Sequence, residues 1–386
     1  MRDVFIFRGR AQRWAVLCLF FLALVLFTGC QTMSYYKQAV TGQCQILANR
    51  TPISEILADP KTPESLKHKL RLVQEVREFA HKELNLPIDG HYQKYVDLHR
   101  DYVVWNVHAA PEFSLEPKAW WYPVVGTAKY RGYFSEKDAW KYAAGLQRQH
   151  LDVYVGGVEA YSTLGWFQDP VLNTFIRHSD TDLAETLFHE LAHQRLFVNG
   201  DTDFSEAFAT SVAQEAMRRW MASKGNAAEY EKYMAENHRT EQFVNLVLGA
   251  RQKLEVLYGK QATPNGITNE TALAAFKREG KAEIFQELRK DYELLKKTEW
   301  GGKDDYDRWM AKPMNNARLN TIDAYYRLLP AFQSLITSKG TNVEDFYREV
   351  NLLAKVPKEE RHRKLAALLA VPNKIAQTDP GQRAIP

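Results

Sequence analysis

The spacing of apolar and polar residues predicts helices at the start of the chain and strands after them. Residues 35–50 and 63–84 carry apolar side chains three and four positions apart, the repeat of a helix with one buried face. Residues 93–134 are instead rich in aromatic and β-branched residues and are interrupted by Pro111, Pro117 and Pro123, which is typical of short strands. We therefore expect a small N-terminal sheet beside helices.

The pattern over the remainder of the chain is mainly helical. Ser135 is a good N-cap for a short helix to about Leu146, and residues 151–158 predict one further strand. From about residue 170 to 371 the pattern is almost wholly helical, with breaks near 199–204, 224–226, 260–269 and 299–316. No Pro-, Gly- or Ser-rich linker divides the chain. We expect one α+β, predominantly α-helical domain of two lobes over residues 30–371, and a loose tail at 372–386.

The first 29 residues have the pattern of a secretory signal peptide. Four arginines precede an unbroken apolar run from Trp14 to Phe27, and the small residues Thr28 and Gly29 follow it. The run is shorter than the roughly 20 apolar residues that cross a bilayer as a helix. An uncleaved membrane anchor is the alternative.

The composition is that of an ordinary globular protein. Hydrophobic residues make up 45% and charged residues 25% of the 386 residues, which excludes a disordered or coiled-coil chain. The formal net charge of +4 falls to +1 once residues 1–29, with four Arg and one Asp, are removed. A nearly neutral body of this size predicts no nucleic-acid partner.

One five-residue segment carries the strongest chemical signal. His189-Glu190-Leu191-Ala192-His193 matches the pattern His-Glu-x-x-His. On a helix, residues four apart lie on one face, so His189 and His193 can present their imidazoles to one metal ion. Glu190 can then reach a metal-activated water as general base. The alternative is two solvated histidines on an amphipathic helix.

A zinc site needs a third protein ligand and one open position. Glu206 falls in the first turn of the next predicted helix, and a short loop can bring that turn back against the first helix. The rival carboxylates are Asp201, Asp203 and Glu215. Glu206 is our prediction, and an acidic residue placed there only to favour the helix start is the alternative.

These segments resemble known metallopeptidases. His-Glu-x-x-His followed by a helix with Glu resembles the gluzincins, and Phe204–Ala209 resembles the segment that supplies their third ligand, with Ser205 and Ala207 where Asn and Gly are usual. More closely, the chain resembles a bacterial family of predicted aminopeptidases, typically lipoproteins. The shared stretches are residues 130–134, 160–167, 189–193, 200–202 and 315–319. The resemblance implies a zincin-like fold, one Zn²⁺ and peptidase activity.

Gluzincins commonly use a Tyr or His to stabilise the oxyanion, and the resemblance makes Tyr325 or Tyr326 a candidate for that role. Both follow the segment Asn315-Asn316-Ala317-Arg318 on a predicted helix. Aromatic residues at helical spacing are also typical of a core, so core packing is the alternative for either tyrosine.

Four more residues are candidates for substrate binding. Asn315, Asn316 and Arg318 could bind substrate backbone or a carboxylate, or they could cap the following helix. An aminopeptidase also needs a carboxylate for the free amine of its substrate. Glu159, on the stretch that precedes the active-site helix, is a candidate, and a solvated surface Glu is the alternative.

The residues around Cys30 predict where the protein is held. Leu26–Cys30 resembles the lipobox of bacterial lipoproteins, in which the cysteine is acylated, although Phe27 departs from the usual aliphatic residue. Gln31 follows, and the absence of Asp there implies the outer membrane, facing the periplasm. Cys44 would be the single unmodified cysteine of the mature chain.

The sequence as a whole predicts a lipid-anchored, zinc-dependent peptidase, with an aminopeptidase as the first choice and Glu190 as general base. Its partners would be a peptide substrate and the membrane that holds the lipid. The alternatives are an endopeptidase, a metal-dependent hydrolase of another bond, and a non-catalytic or chaperone-like membrane-tethered zincin-fold protein. The oligomeric state is open.

Overall fold

The computed structural model describes residues 32–122, 126–163, 167–259, 269–340 and 342–370. The predicted signal peptide, Cys30, the tail at 372–386 and most of the predicted break at 260–269 lie outside the described residues. The fold is α+β and predominantly α-helical, which confirms the predicted fold class.

The helices and strands alternate in the first half of the chain, and helices alone fill the second half. The helices are α1 (32–48), α2 (Ile53–Ala58), α3 (Glu64–Leu84), α4 (Glu136–Gln147), α5 (Asn173–Ile176), α6 (Asp180–Arg195), α7 (Thr202–Lys224), α8 (Ala227–Tyr258), α9 (Glu270–Thr298), α10 (Asp307–Met310), α11 (Asn316–Tyr326), α12 (Leu329–Ser338), α13 (Val343–Ala354) and α14 (Lys358–Ala370). The strands are β1 (Thr51–Pro52), β2 (Lys94–Val96), β3 (Val104–Pro111), β4 (Trp120–Tyr122), β5 (Gly126–Ala128), β6 (Arg131–Tyr133), β7 (Leu151–Val158) and β8 (Val171–Leu172).

The strands form three small sheets within the described residues, whereas the sequence suggested one. β1 pairs antiparallel with β2, which lies parallel to β8; β6, β3 and β7 form an antiparallel sheet in that order; β4 and β5 pair with each other. Pro111 is the last residue of β3. A proline offers no N–H for further pairing, so it helps to divide the aromatic region into short strands.

The β6–β3–β7 sheet has one apolar and one polar face, because side chains alternate along a strand. Trp105, Val107 and Ala109 of β3 pack in an apolar cluster with Ala139 and Ala143 of α4. The opposite face carries Asn106 and His108, and His108 is in register with Tyr154 of β7. α11 packs against β3 and β7, so the sheet lies next to the helical half of the chain.

The largest apolar cluster joins α3, α6, α7 and the C-terminal helices. Leu183, Leu187 and Leu191 of α6 are fully buried in it. On α7, Phe204 and Phe208 pack against Phe332 of α12, with ring centroids 5.0 and 6.2 Å apart. This packing fixes the rotation of α6 and α7 about their axes, and it therefore determines which side chains they present to each other.

Side-chain contacts define the ends of α6. Ser179 is the N-cap, and its side chain accepts a hydrogen bond from the Asp182 amide. Asp180 binds Lys69 and His68 of α3. The helix ends at Arg195, because Leu196 takes an extended conformation.

α8 and α9 are long helices that pack side by side on a second apolar cluster. Phe243 and Leu254 of α8 meet Phe285 and Leu288 of α9 there, and Leu319 of α11 joins them. In the part of the chain that the structure describes, none of the helices combines the length and the apolar character needed to cross a bilayer.

A buried carboxylate ties the start of α7 to α14. Asp201 is 1% exposed, and it accepts hydrogen bonds from Arg361 at 2.6 Å and from His362 at 3.0 Å. Burial raises the pKa of Asp201, but the hydrogen bond from His362 and the charge of Lys358 outweigh burial, so the net shift is downward.

We therefore predict that Asp201→Asn destabilises the protein by roughly 3 kcal/mol at pH 7, since it leaves Arg361 without its charged partner. A carboxyl with a lowered pKa in the folded state stabilises above its unfolded pKa of about 3.9 and stops doing so as pH falls through the folded-state pKa. Urea unfolding should show that the difference between variant and wild type persists at neutral pH and shrinks only as pH falls below the unfolded pKa of about 3.9. A difference that shrinks already above that pH would contradict the assignment.

Candidate metal centre

Two histidines lie on one face of α6. Leu183, Leu187 and Leu191 form a buried stripe along the other side of this helix. His189 and His193 occupy successive turns of the face opposite this stripe, with ring centroids 4.8 Å apart. Residues four apart are neighbours on a helix surface. Their Nε2 atoms accordingly converge to 3.1 Å.

A tight connection returns the chain so that α7 can supply a third side chain. The Val198 amide donates a hydrogen bond to Ser205 Oγ, and the Asp201 amide donates one to the Val198 carbonyl, both at 3.0 Å. Gly200 has φ +80°, a left-handed conformation that glycine adopts without strain. α7 then packs along α6 and brings Glu206 to the two histidines.

The three side chains have the spacing of a tetrahedral metal site. Glu206 Oε2 lies 3.2 Å from His189 Nε2 and 3.5 Å from His193 Nε2. Ligands at about 2.0–2.1 Å from a tetrahedral zinc ion are separated from each other by about 3.3 Å. Two imidazole nitrogens and one carboxylate oxygen also match the donor set of catalytic zinc sites with one open position. The residues therefore fit a single zinc ion.

The charges around Glu206 keep it in the form that binds metal. Burial raises the pKa of its carboxyl, but the adjacent imidazoles of His193 and His189 outweigh burial and hold that pKa far below its usual range. An ionised carboxylate is the metal-binding form.

The rival carboxylates are each paired with cations elsewhere. Asp201 binds Arg361 and His362. Asp203 binds Lys129 and Arg327. Glu215 binds Arg218 and Arg219. Among the described residues, Glu206 is thus the candidate that converges with both histidines.

Glu190 lies beside this cluster in a desolvated position. Burial raises the pKa of its carboxyl, against the lowering effect of His193 and His189. The negative charges of Glu206 and Asp169 add to the rise. A carboxylate whose proton affinity is increased in this way is a better general base near neutral pH.

Asp169, which the sequence did not single out, holds the chain next to Glu190. Its side chain is 2% exposed, and it accepts hydrogen bonds from Thr163 Oγ1 at 2.6 Å and Ser162 Oγ at 3.1 Å. Gln194, one turn after Glu190, donates to Ser162 Oγ at 2.8 Å. Asp169 therefore secures residues 162–163 against α6 beside the metal cluster.

Tyr92 approaches the same side of Glu190 in a strained conformation. Its φ is +57°, which is rare for a bulky residue. Its side chain is buried, and its hydroxyl has no hydrogen-bond partner within the described part of the chain. Burial, and then the charges of Glu190 and Asp169, raise the pKa of Tyr92. Such strain is often found at functional sites.

The two candidate tyrosines of α11 occupy different surroundings. Tyr325 is 42% exposed, and its ring lies 6.4 Å from that of His189, tilted by 30°. The charge of Glu206, and then burial, raise the pKa of Tyr325. Tyr326 packs against the main apolar cluster instead. Tyr325 is thus the one of the pair that borders the metal cluster.

Tyr130 borders the cluster from the sheet side, and the sequence named it only as part of a family-like stretch. Its ring lies 5.7 Å from that of His108. Burial raises the pKa of Tyr130, and the charges of Glu206, Tyr161 and Glu190 add to the rise. The preceding residue, Lys129, binds Asp203 at 2.7 Å, and Asp203 lies one turn before Glu206 on α7.

The side chains of the segment from Asn315 to Arg318 bind other parts of the protein, and Asn315 alone of the three candidates caps the following helix. Asn315 caps α11 by accepting from the Arg318 amide at 3.0 Å. Asn316 Nδ2 donates to the carbonyls of residues 111, 112 and 114, at 2.9 to 3.1 Å. Arg318 is fully buried, donates to the Lys312 carbonyl at 2.8 Å and stacks on Trp309. These contacts favour a structural role over substrate binding.

Glu159 is also engaged within the protein. Its carboxylate lies 2.9 Å from His178 Nε2 and 3.6 Å from Arg177 Nη2. A carboxylate already held by an arginine and a histidine is poorly suited to hold the free amine of a substrate, so these contacts favour a role within the protein surface.

Comparison with known proteins finds one match. Residues 34–365 match the model of a family described as "Putative aminopeptidase". No curated protein and no solved structure matches the chain.

We predict that the purified protein binds about one zinc ion per chain, by elemental analysis, and that Glu206→Gln weakens zinc binding by more than about 10-fold, because it removes an ionised ligand. Glu215→Gln is the matched control, since Glu215 lies on the same helix but is bound to arginines. Loss of zinc in the Glu215 variant alone would contradict the ligand set.

Proposed function

The chain belongs to the putative aminopeptidase family, and from this premise we propose that it is a zinc-dependent peptidase of the gluzincin type. The single observation that carries the proposal is the convergence of His189, His193 and Glu206 with the spacing of a tetrahedral zinc site. The position of Glu190 directly after the first histidine supports a hydrolytic use of that site.

In the proposed reaction, the metal and the side chain of Glu190 have different roles. Zinc bound there would lower the pKa of a coordinated water to about 7 and polarise the substrate carbonyl. Glu190 accepts the proton of the attacking water and passes it to the leaving amine. Its buried environment favours both steps, because a raised pKa lets the carboxyl hold the proton between them.

We propose Tyr325 as the donor that stabilises the oxyanion. Its ring lies next to that of His189 and its side chain is partly exposed, so its hydroxyl is available to a substrate. A phenol has an ordinary pKa of about 10 and is therefore protonated at neutral pH, so it can donate a hydrogen bond to a developing negative charge.

The aminopeptidase mode rests on the family description. Glu159 does not support it, because its carboxylate is paired with His178 and Arg177. Other acceptors, such as backbone carbonyls, would have to bind the substrate amine.

We also propose that the protein is tethered through lipid on Cys30, in the outer membrane and facing the periplasm. The placement of α1 is compatible with a short tether. Residue 32 already belongs to the helix, and Tyr35 packs on Tyr133 of β6 with ring centroids 5.4 Å apart. The folded body would therefore lie close to the membrane surface.

The test of function is Glu190→Gln. We expect the variant to keep its zinc and to lose about 10²–10⁴-fold in peptide turnover, because it lacks the general base. Asp182→Asn is the control, since Asp182 is an exposed carboxylate on the same helix. Full activity of Glu190→Gln, or of the metal-free protein, would overturn the proposal.

The same assay should use each peptide with a free and with an acetylated amino terminus. An aminopeptidase cleaves only the free form. Equal cleavage of both forms would establish an endopeptidase instead, and it would not contradict the zinc-dependent mechanism.

The test of the tether is Cys30→Ser in a Gram-negative host. We expect the wild-type protein, and not the variant, to incorporate radiolabelled fatty acid, because acylation requires the thiol. Equal incorporation in both proteins, or none in the wild type, would contradict the lipid anchor.

A further inference from the structure

Asp203 is a buried carboxylate with an unusual set of partners. It is fully buried in the first turn of α7, three residues before Glu206. Lys129 Nζ lies 2.7 Å from both of its oxygens, and Arg327 Nη2 lies 2.7 Å from one of them. The three side chains come from the sheet region, from α7 and from the end of α11.

Each cation lies within two residues of a tyrosine at the metal cluster. Tyr130 directly follows Lys129, and Tyr325 comes two residues before Arg327. A short stretch of backbone cannot move far once a side chain within it is fixed. The two ion pairs therefore constrain both tyrosines relative to the helix that carries Glu206.

Asp201 shows that an ion pair at the start of α7 need not constrain a tyrosine at the metal cluster. It lies two residues before Asp203, is 1% exposed, and also holds basic partners, Arg361 and His362. Both of these partners belong to α14. Neither Arg361 nor His362 is adjacent in sequence to a tyrosine at the metal cluster.

We propose that Asp203 is a positioning residue, which through Lys129 and Arg327 holds the hydroxyls of Tyr130 and Tyr325 against the substrate bound at the metal centre. The proposal rests on the proposed peptidase function and adds Tyr130 as a second substrate-facing hydroxyl. A displacement of about 1 Å of such a group costs about 10²-fold in rate. Breaking a buried ion pair also destabilises a protein, so the experiments below separate positioning of the tyrosines from stability.

The first experiment is a set of double-mutant cycles measured as kcat and KM. We expect Asp203→Asn to lower kcat by about 10²-fold with zinc content unchanged and KM nearly unchanged. In a background that already carries Tyr130→Phe and Tyr325→Phe, the same substitution should have little further effect on kcat. A residue with a purely structural role would give additive losses.

Variants that remove only one of the two cations bound to Asp203 keep the test valid where Asp203→Asn folds poorly. Lys129→Gln should be non-additive with Tyr130→Phe and additive with Tyr325→Phe, and Arg327→Gln should show the reverse. Asp201→Asn is the matched control, and its kcat should equal that of the wild type although its stability is lower. Additive losses in every cycle would overturn the proposal.

The second experiment does not depend on activity. The metal-free protein is labelled with 3-fluorotyrosine, and the ¹⁹F signals of Tyr130 and Tyr325 are assigned by their loss in the two Phe variants. Asp203→Asn should shift or broaden both signals, whereas Asp201→Asn should leave them in place. Unchanged signals in Asp203→Asn would overturn the positioning role.

The two experiments separate the two claims. A wild-type protein without zinc or without peptide turnover would refute the proposed function, and the ¹⁹F spectra would still decide whether Asp203 fixes the tyrosines. An active wild-type protein with additive cycles and unchanged spectra would refute the positioning role alone.

Discussion

The close packing of α7 against α6 is the constraint on which the site depends. Three ligand atoms within 4.8 Å of one another need two helices held at one distance and one rotation. The two helices are held together because Leu191 on α6 and Phe204 and Phe208 on α7 are buried in a common apolar cluster. The Val198–Ser205 hydrogen bond closes the connection between the helices. A slip of α7 by one residue would turn Glu206 away from the histidines, because successive helical residues point about 100° apart.

Three buried carboxylates near the start of α7 each pair with a different set of side chains. Glu206 meets the histidines, Asp203 meets Lys129 and Arg327, and Asp201 meets the basic residues of α14. An ionised carboxylate in the interior is costly unless it is paired. The start of α7 is therefore tied by ion pairs to the sheet region, to α11 and to α14, and the helix dipole favours the negative charges placed there.

The sequence predicted well what local periodicity can encode. The spacing of His189 and His193, the strand at 151–158 and the Ser135 cap depend only on near neighbours, and the structure has each of these features. Glu206 was expected in the first turn of the next helix, but α7 begins at Thr202, so that Asp203 lies in the first turn and Glu206 one turn later. The partners of Asp203 lie 74 and 124 residues away along the chain, and no local pattern marks them. The same limit applies to Asn316, whose amide binds carbonyls more than 200 residues away. Asp169 and Tyr92 were missed because no motif or periodicity marks them, although two side-chain partners of Asp169 lie only six and seven residues away.

The most direct test of the central claim is an anomalous-scattering map, at the zinc absorption edge, from crystals of the zinc-loaded protein. Our account predicts one peak per chain, about 2.0–2.1 Å from His189 Nε2, His193 Nε2 and a carboxylate oxygen of Glu206. A peak at other residues, or none at full zinc occupancy in solution, would contradict it.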